Sequence, residues 1–250
     1  MAGREFHDGA KDGLEALEPL DPEKIHSFTE LLEAMRKTAF GGRRLGEAYE
    51  TLAAMIEDPD CKVVLTLSGA MTIAKMGKII STMIDRGMVQ AIVSTGALVA
   101  HGLSESVGKL HYRHEPSHTD EELFQKGYNR VYDTLEMESN LNYVEHVVSQ
   151  TMKRLNVDQP LSSNFLTREL GKTLAEEFEG PGILKSAYLK NVPVYIPAFT
   201  DSEMGLDLGT WAMGKQIDFT RSQIKEGGDV AVLRALHQTC PVFNPYLDLN

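Results

Sequence analysis

The sequence predicts an α/β protein, a parallel sheet with flanking helices. Residues 62–67 (KVVLTL), 89–93 (VQAIV) and 191–197 (NVPVYIP) are short apolar runs of the length and β-branched content that buried strands use. Between the first two, residues 71–86 carry Met76, Ile79, Ile80 and Met83 at helical spacing. A strand, a crossover helix and a strand of these lengths form a βαβ unit, which is parallel and right-handed. Each apolar run also ends in small or polar residues, at 68–70, 94–97 and 198–209.

The remaining elements follow in order. Residues 1–13 are rich in glycine and charge, and residues 1–19 as a whole read as a flexible tail before a domain over 20–250. Asp21 caps a helix that Pro22 opens, and Ile25, Phe28, Leu31, Leu32 and Met35 form its apolar stripe. Gly41 and Gly42 break the pattern before a second helix over 43–57, and Asp58-Pro59-Asp60 turns the chain. Gly87 suits the cap after the helix over 71–86. Residues 108–120 read as an irregular polar loop. Helical patterns then cover 121–129, 142–154, 162–178 (capped by Ser162 or Ser163), 183–190, 218–227 and 231–238. Pro193 and Pro197 sit near the ends of the third strand, where a missing donor costs least.

Composition excludes several classes of function. The chain has 250 residues, with 25 Lys+Arg against 36 Asp+Glu, a formal net charge of -11. A general phosphate-backbone binder presents a basic face, so no nucleic-acid partner is expected. A hydrophobic share of 42% with 24% charged residues is that of a globular chain. No apolar run approaches the ~20 residues of a membrane-spanning helix. The first residues lack the basic and apolar regions of a signal peptide. Cys61 and Cys240 make no disulfide framework and have no zinc-like spacing to histidine. The expectation is a cytoplasmic protein.

In open parallel sheets, ligands bind beyond the C-terminal ends of the strands. The first two strand ends, 68–72 and 94–97, are small and carry hydroxyls, so backbone N–H groups can approach a phosphate there. The third, 199–207, holds Asp201, Glu203 and Asp207. Two phosphate-tolerant turns beside an acidic loop suit a dinucleotide with a cationic substrate. On pattern alone Gly69 and Gly96 read as tight turns and Asp201 as a loop cap, since no G-x-G-x-x-G fingerprint is present. His111, His114 and His118 read as part of a solvated loop, with no metal site expected. Arg43 and Arg44 read as surface charge at a helix start, and Trp211 as a core residue.

The order and spacing of five segments resemble the deoxyhypusine synthase family over about residues 20–233. They are TAFGGRRLGEA (38–48), TLSGAMT (66–72), GMVQAIVSTGA (87–97), GYNR (127–130) and VPVYIPAFTD (192–201). The resemblance implies a Rossmann-like, NAD-binding fold and a homotetramer with NAD bound between paired subunits. It also implies an aminobutyl transferase. Such an enzyme oxidises spermidine, releases diaminopropane and passes the butylimine through an enzyme lysine to a lysine of a translation factor. Relatives that use a free amine as acceptor make homospermidine. Residue by residue, Ser68, Gly69, Ala70, Met71 and Thr72 match the first NAD-contacting turn, and Thr95, Gly96 and Ala97 the second. Asp201 matches an acidic catalytic residue close to nicotinamide and substrate, with Glu203 and Asp207 as further amine contacts.

Three departures accompany the resemblance. Ala100 and His101 stand where the family carries paired acids that hold the amine, so His101 is either a neutral acceptor or a charged repellent. Leu206 aligns with a family acid, and Asp207 follows one place later. The family's imine-forming lysine lies in a C-terminal section beyond Asn250, and Lys215 and Lys225 do not match it. The chain therefore reads as about the first two-thirds of such a protein, with the alternative of a catalytically dead subunit that regulates a full-length partner.

Overall fold

The computed structural model describes residues 7–155, 162–198, 202 and 205. The chain divides into two compact units, Met1–Lys62 and Val63–Asn250.

In the first unit, a single 3-10 turn, Pro22–Lys24, is capped by Asp21, whose carboxylate accepts from the Glu23 N–H at 3.2 Å. The helix proper starts later than the apolar stripe suggested. Ser27 Oγ accepts from the Glu30 N–H and opens α1, Phe28–Arg36. Helix α2, Phe40–Glu57, packs on α1 and takes Gly41 and Gly42 into its first turn. The expected break at the glycines is therefore a helix start, because Ala39 already supplies the extended N-cap backbone.

The second unit opens with strand β1, Val64–Leu67, and strand β2, Ala91–Ser94, which pair in parallel with Val64 opposite Ala91 and Leu67 opposite Ser94. Strand β6, Val194–Tyr195, joins the other side of β2, so the order is β1-β2-β6 and every pairing is parallel. The α/β class and the parallel sheet thus match the sequence reading. β2 is the central strand, and Ile92 is fully buried. β1 is not the buried strand expected: it ends the order, and Val64 is 55% exposed.

Residues 71–86 form two helices rather than one. Helix α3, Ala70–Ile73, stops where Lys75 takes a left-handed backbone with φ 63°, and helix α4, Gly77–Asp85, restarts from Met76. The restart rotates the apolar face. Ile80 and Ile84 enter the core, Met76 and Met83 pack at its margin, and Ile79 stays exposed. Helix α5, Gly96–Ser106, follows β2 directly and buries Leu98, Val99 and Leu103.

A second sheet, absent from the sequence reading, follows. Strands β3 (His111–Arg113), β4 (Tyr128–Val131) and β5 (Thr134–Met137) pair antiparallel in the order β3-β5-β4. Residues 108–120 are therefore not wholly loop, and the helix expected over 121–129 is the shorter α6, Asp120–Gln125, with a capping box between Thr119 and Glu122. Gly127, at φ 71°, ends that helical stretch before β4. Arg130 on β4 grips Asp120 with two parallel bonds of 2.5 and 2.7 Å, and this guanidinium holds the Asp120 carboxyl below its usual range.

Helices α7 (Glu138–Arg154), α8 (Ser163–Glu177) and α9 (Ile183–Lys190) are the remaining helices among the described residues of the unit. Leu166, Leu170 and Leu174 on α8 are buried with Ile183, Leu184 and Ala187 on α9. Helix α8 also finishes β6. Asn164 Oδ1 accepts from the Val194 N–H, Thr167 Oγ1 donates to the Val194 carbonyl at 2.9 Å, and Ser163 Oγ accepts from the Ile196 N–H. Side chains thus replace the strand partner that this side of β6 lacks among the described residues. No described helix is long and apolar enough to cross a membrane.

Candidate functional site

The ends of β1 and β2 meet. The Ser94 hydroxyl donates to the Leu67 carbonyl at 2.9 Å and ties one strand end to the other. Beyond them, Gly69 lies so close to the second turn that a Cβ there would overlap the Cβ of Ala97 and sit 2.5 Å from Thr95 Oγ1. Only a residue without a side chain allows this approach. Gly96 is covered in the same way by Ser202, whose Cβ occupies the place a Gly96 side chain would need. Ser202 therefore lies against the start of α5. Ser202 Oγ also accepts from the Gly205 N–H at 3.1 Å.

The structure brings together the predicted residues of the first two turns. Ser68, Ala70 and Thr95 are exposed, Ala97 is half-buried, and Gly69 and Gly96 are buried by the contacts just described. Thr72 is buried and spends its hydroxyl on the Gly69 carbonyl, so its side chain shapes the turn. Met71 packs against the core, leaving its backbone to the turn. Thr95 is the N-cap of α5, with extended backbone and no capping bond from its own side chain. Exposed hydroxyls and a glycine floor beside the start of a helix fit the diphosphate of a dinucleotide such as NAD. Asp201, Glu203 and Asp207 lie outside the described residues.

His101 lies one helical turn after Ala97, on the same face of α5. Its Nδ1 is 2.5 Å from Glu136 Oε2. Glu136 is on β5, 1% exposed, and directly opposite His111 of β3 in the antiparallel register. His111 Nε2 lies 3.3 Å from Glu136 Oε1, at ion-pair distance but outside hydrogen-bond geometry, and both atoms are buried. On the other side of that ring, Lys75 Nζ is 2.9 Å from His111 Nδ1 and 3.4 Å from Glu105 Oε1. Burial pushes the Glu136 carboxyl up. The hydrogen bond with His101 and the close His111 imidazole outweigh it and hold the group ionised, well below the usual carboxylate range.

Sequence reading missed Glu136, Lys75 and the role of His111. These residues are 61 positions apart along the chain at most, and only the β3–β5 register and the left-handed turn at Lys75 bring them together. His114 and His118 do not join the cluster; His114 Nε2 meets the His118 carbonyl at 3.3 Å, and His118 pairs loosely with Glu122. His101, His111 and Glu136 offer three ligand atoms within 4.8 Å of one another. Their hydrogen bonding argues against a metal. An ammonium only donates, so Lys75 makes His111 Nδ1 an acceptor and puts that ring's proton on Nε2, facing Glu136. A divalent ion would meet that N–H in place of a lone pair, with a lysine charge behind it.

Residues 30–239 match the sequence profile of the family described as deoxyhypusine synthase. The chain belongs to the deoxyhypusine synthase family. It is 34% identical over 215 residues to "Probable deoxyhypusine synthase 2" of Methanosarcina acetivorans, covering 85% of this chain and 61% of that one. It is 31% identical over 194 residues to a deoxyhypusine synthase-like protein of Elusimicrobium minutum, covering 76% and 52%. The chain thus spans about three-fifths of the Methanosarcina protein's length. Among solved structures, a candidate deoxyhypusine synthase from Entamoeba histolytica has the same fold, with a TM-score of 0.56 at 14% identity over 79% of this chain and 67% of that one.

Proposed function

We propose that this chain is the NAD- and amine-binding part of an aminobutyl transferase that moves the butylamine part of spermidine to an amine acceptor. The acceptor is a protein lysine, as on a translation factor, or a free amine, as in homospermidine formation. The observation that carries the reading is the meeting of three strand-end segments, Gly69 against Thr95 and Ala97, and Gly96 against Ser202, in a chain of this family.

In this reading the backbone of residues 68–72 and 95–97 holds the dinucleotide, with its diphosphate near the start of α5. NAD supplies the acceptor for the hydride that leaves the amine's carbon. Asp201 lies beside nicotinamide and amine and offsets the substrate's charge, with Glu203 and Asp207 as further contacts and His101 at the edge of the amine site. A dry site strengthens each such pairing. A cytoplasmic homotetramer, with the site completed between subunits, belongs to the same reading.

Titration calorimetry of the full chain with NAD, alone and with spermidine, tests it beside Asp201→Ala. The expected result is that NAD binds, that spermidine tightens it, and that the Asp201 variant loses the tightening. Folded protein that binds neither compound contradicts the reading.

A further inference from the structure

A cavity of about 200 Å³ opens at the N-terminal end of β6. It is framed by α8, by α9 and by the residues that lead from α9 into the strand. The dinucleotide turns lie beyond the C-terminal ends of β1 and β2, so turns and cavity are at opposite ends of the parallel sheet. A water takes up about 30 Å³ of liquid and drug-sized pockets begin near about 300 Å³, so this cavity suits a small organic molecule.

Its two sides differ in chemistry. Leu184, Ala187, Val192 and Pro193 make one side apolar. Arg168, Asn164, Tyr188 and Asn191 make the other side polar, and no Asp or Glu is among the lining residues. The polar side chains have donors to spare. Arg168 is exposed on α8 and makes no ion pair or hydrogen bond among the described residues. Asn164 gives its Oδ1 to the Val194 N–H, and its amide N–H groups make no bond to a described residue. The side chains of Tyr188 and Asn191 make none either.

The nearby backbone acceptors, by contrast, are taken. The Ala187 carbonyl accepts from the Val192 N–H at 2.8 Å, and the Tyr188 carbonyl accepts from the Asn191 N–H at 3.1 Å. The Pro193 carbonyl accepts from the Ile92 N–H and the Val194 carbonyl from the Thr167 hydroxyl, each at 2.9 Å. The end of α9 therefore offers little to a cation. A guanidinium and two carboxamides with unused N–H groups call for a group that only accepts.

We propose that this cavity binds a small organic anion, a carboxylate or phosphate ester on an apolar body. Arg168 holds the anionic head, which a guanidinium meets with two parallel hydrogen bonds, and the body lies against Leu184 and Pro193. The site is separate from the dinucleotide turns, so its occupant does not compete with NAD. It stands independently of the function proposed above.

The test is titration of the full chain with benzoate, phenyl phosphate and benzamide, by calorimetry and by the backbone amide signals of the isotope-labelled protein. At least one of the two anions is expected to bind with a dissociation constant of about a millimolar or tighter, as suits a ligand of this size. It should move the signals of Val192 and Val194 and leave those of Gly69 and Ala97 in place. The tighter of the two identifies the head group. Benzamide, of similar shape without the charge, should bind at least about tenfold more weakly, and Arg168→Met should weaken the anion about tenfold, as loss of a charge-assisted hydrogen bond does. Arg168 is exposed, so the variant keeps its fold. Anions that leave Val192 and Val194 unmoved overturn the inference. So does benzamide that binds as well as benzoate, or an anion that binds Arg168→Met as tightly as the wild type. An anion that displaces NAD sits in the dinucleotide turns and overturns it as well.

Discussion

Gly69 and Ala97 are packed so closely that a single methyl group on the glycine would overlap the alanine Cβ. They come from turns after different strands, and their contact makes the two turns one surface. Gly69→Ala is therefore expected to push the turns apart, to cost about 1–3 kcal/mol of stability as overpacking does, and to weaken NAD binding about tenfold or more. Ala97→Gly in the same chain frees the space and restores part of both. Denaturant unfolding and NAD titration of the single and double variants check this. Additive losses would show that the contact is not what joins the turns.

Glu136 makes stability depend on acid. Its folded carboxyl titrates below its unfolded value, so its contribution is complete above about pH 4.3, the unfolded range, and is lost as pH falls toward the folded value. Unfolding free energy of the wild type is expected to fall on acidification below that range more steeply than that of Glu136→Met. Equal slopes for the two proteins would place the acid sensitivity elsewhere.

Lys75 combines a left-handed backbone with the last cationic contact of the histidine cluster. Lys75→Met and Lys75→Gly lose that contact equally, but only glycine relieves the backbone. The glycine variant is expected to be about 1 kcal/mol more stable than the methionine variant. Denaturant midpoints decide it, and a more stable methionine variant would mean the turn carries no such strain.

Thr167 anchors the third strand from the side, with a buried hydroxyl 2.9 Å from the Val194 carbonyl. Thr167→Val keeps the shape and orphans that carbonyl, for an expected loss of about 1–3 kcal/mol. Amide exchange at Val194 and Ile196 should speed up in the variant relative to Ile92 on the central strand. Unchanged exchange at β6 would show that the ladder to β2 alone holds it.

The parts of this fold that can be read from the sequence are those set by local rules. The apolar runs around Leu65, Ile92 and Val194 mark the parallel strands, Ser162 marks the start of α8, and α9 begins and ends where its pattern does. Strands β3 to β5 stayed hidden because three or four residues such as Tyr128-Asn-Arg-Val131 are too short to show a two-residue period. The break at Lys75 has no glycine or proline to announce it. The turns after β1 and β2 could be read as turns because small residues and hydroxyls sit together in sequence, while their assignment to NAD comes from the resemblance. The Glu136 cluster could not, since a register between strands, and no spacing along the chain, sets His111 opposite it. Asp201, Glu203 and Asp207 remain expectations of the resemblance.

The most direct test of the central claim is to mix the full chain with NAD and spermidine and follow two products at once. One is reduced nicotinamide, by its near-ultraviolet absorbance, and the other is diaminopropane, by mass spectrometry. The account predicts that both form, that neither forms without NAD, and that Gly69→Ala and Asp201→Ala suppress them together. A folded chain that binds NAD and leaves spermidine intact would contradict it.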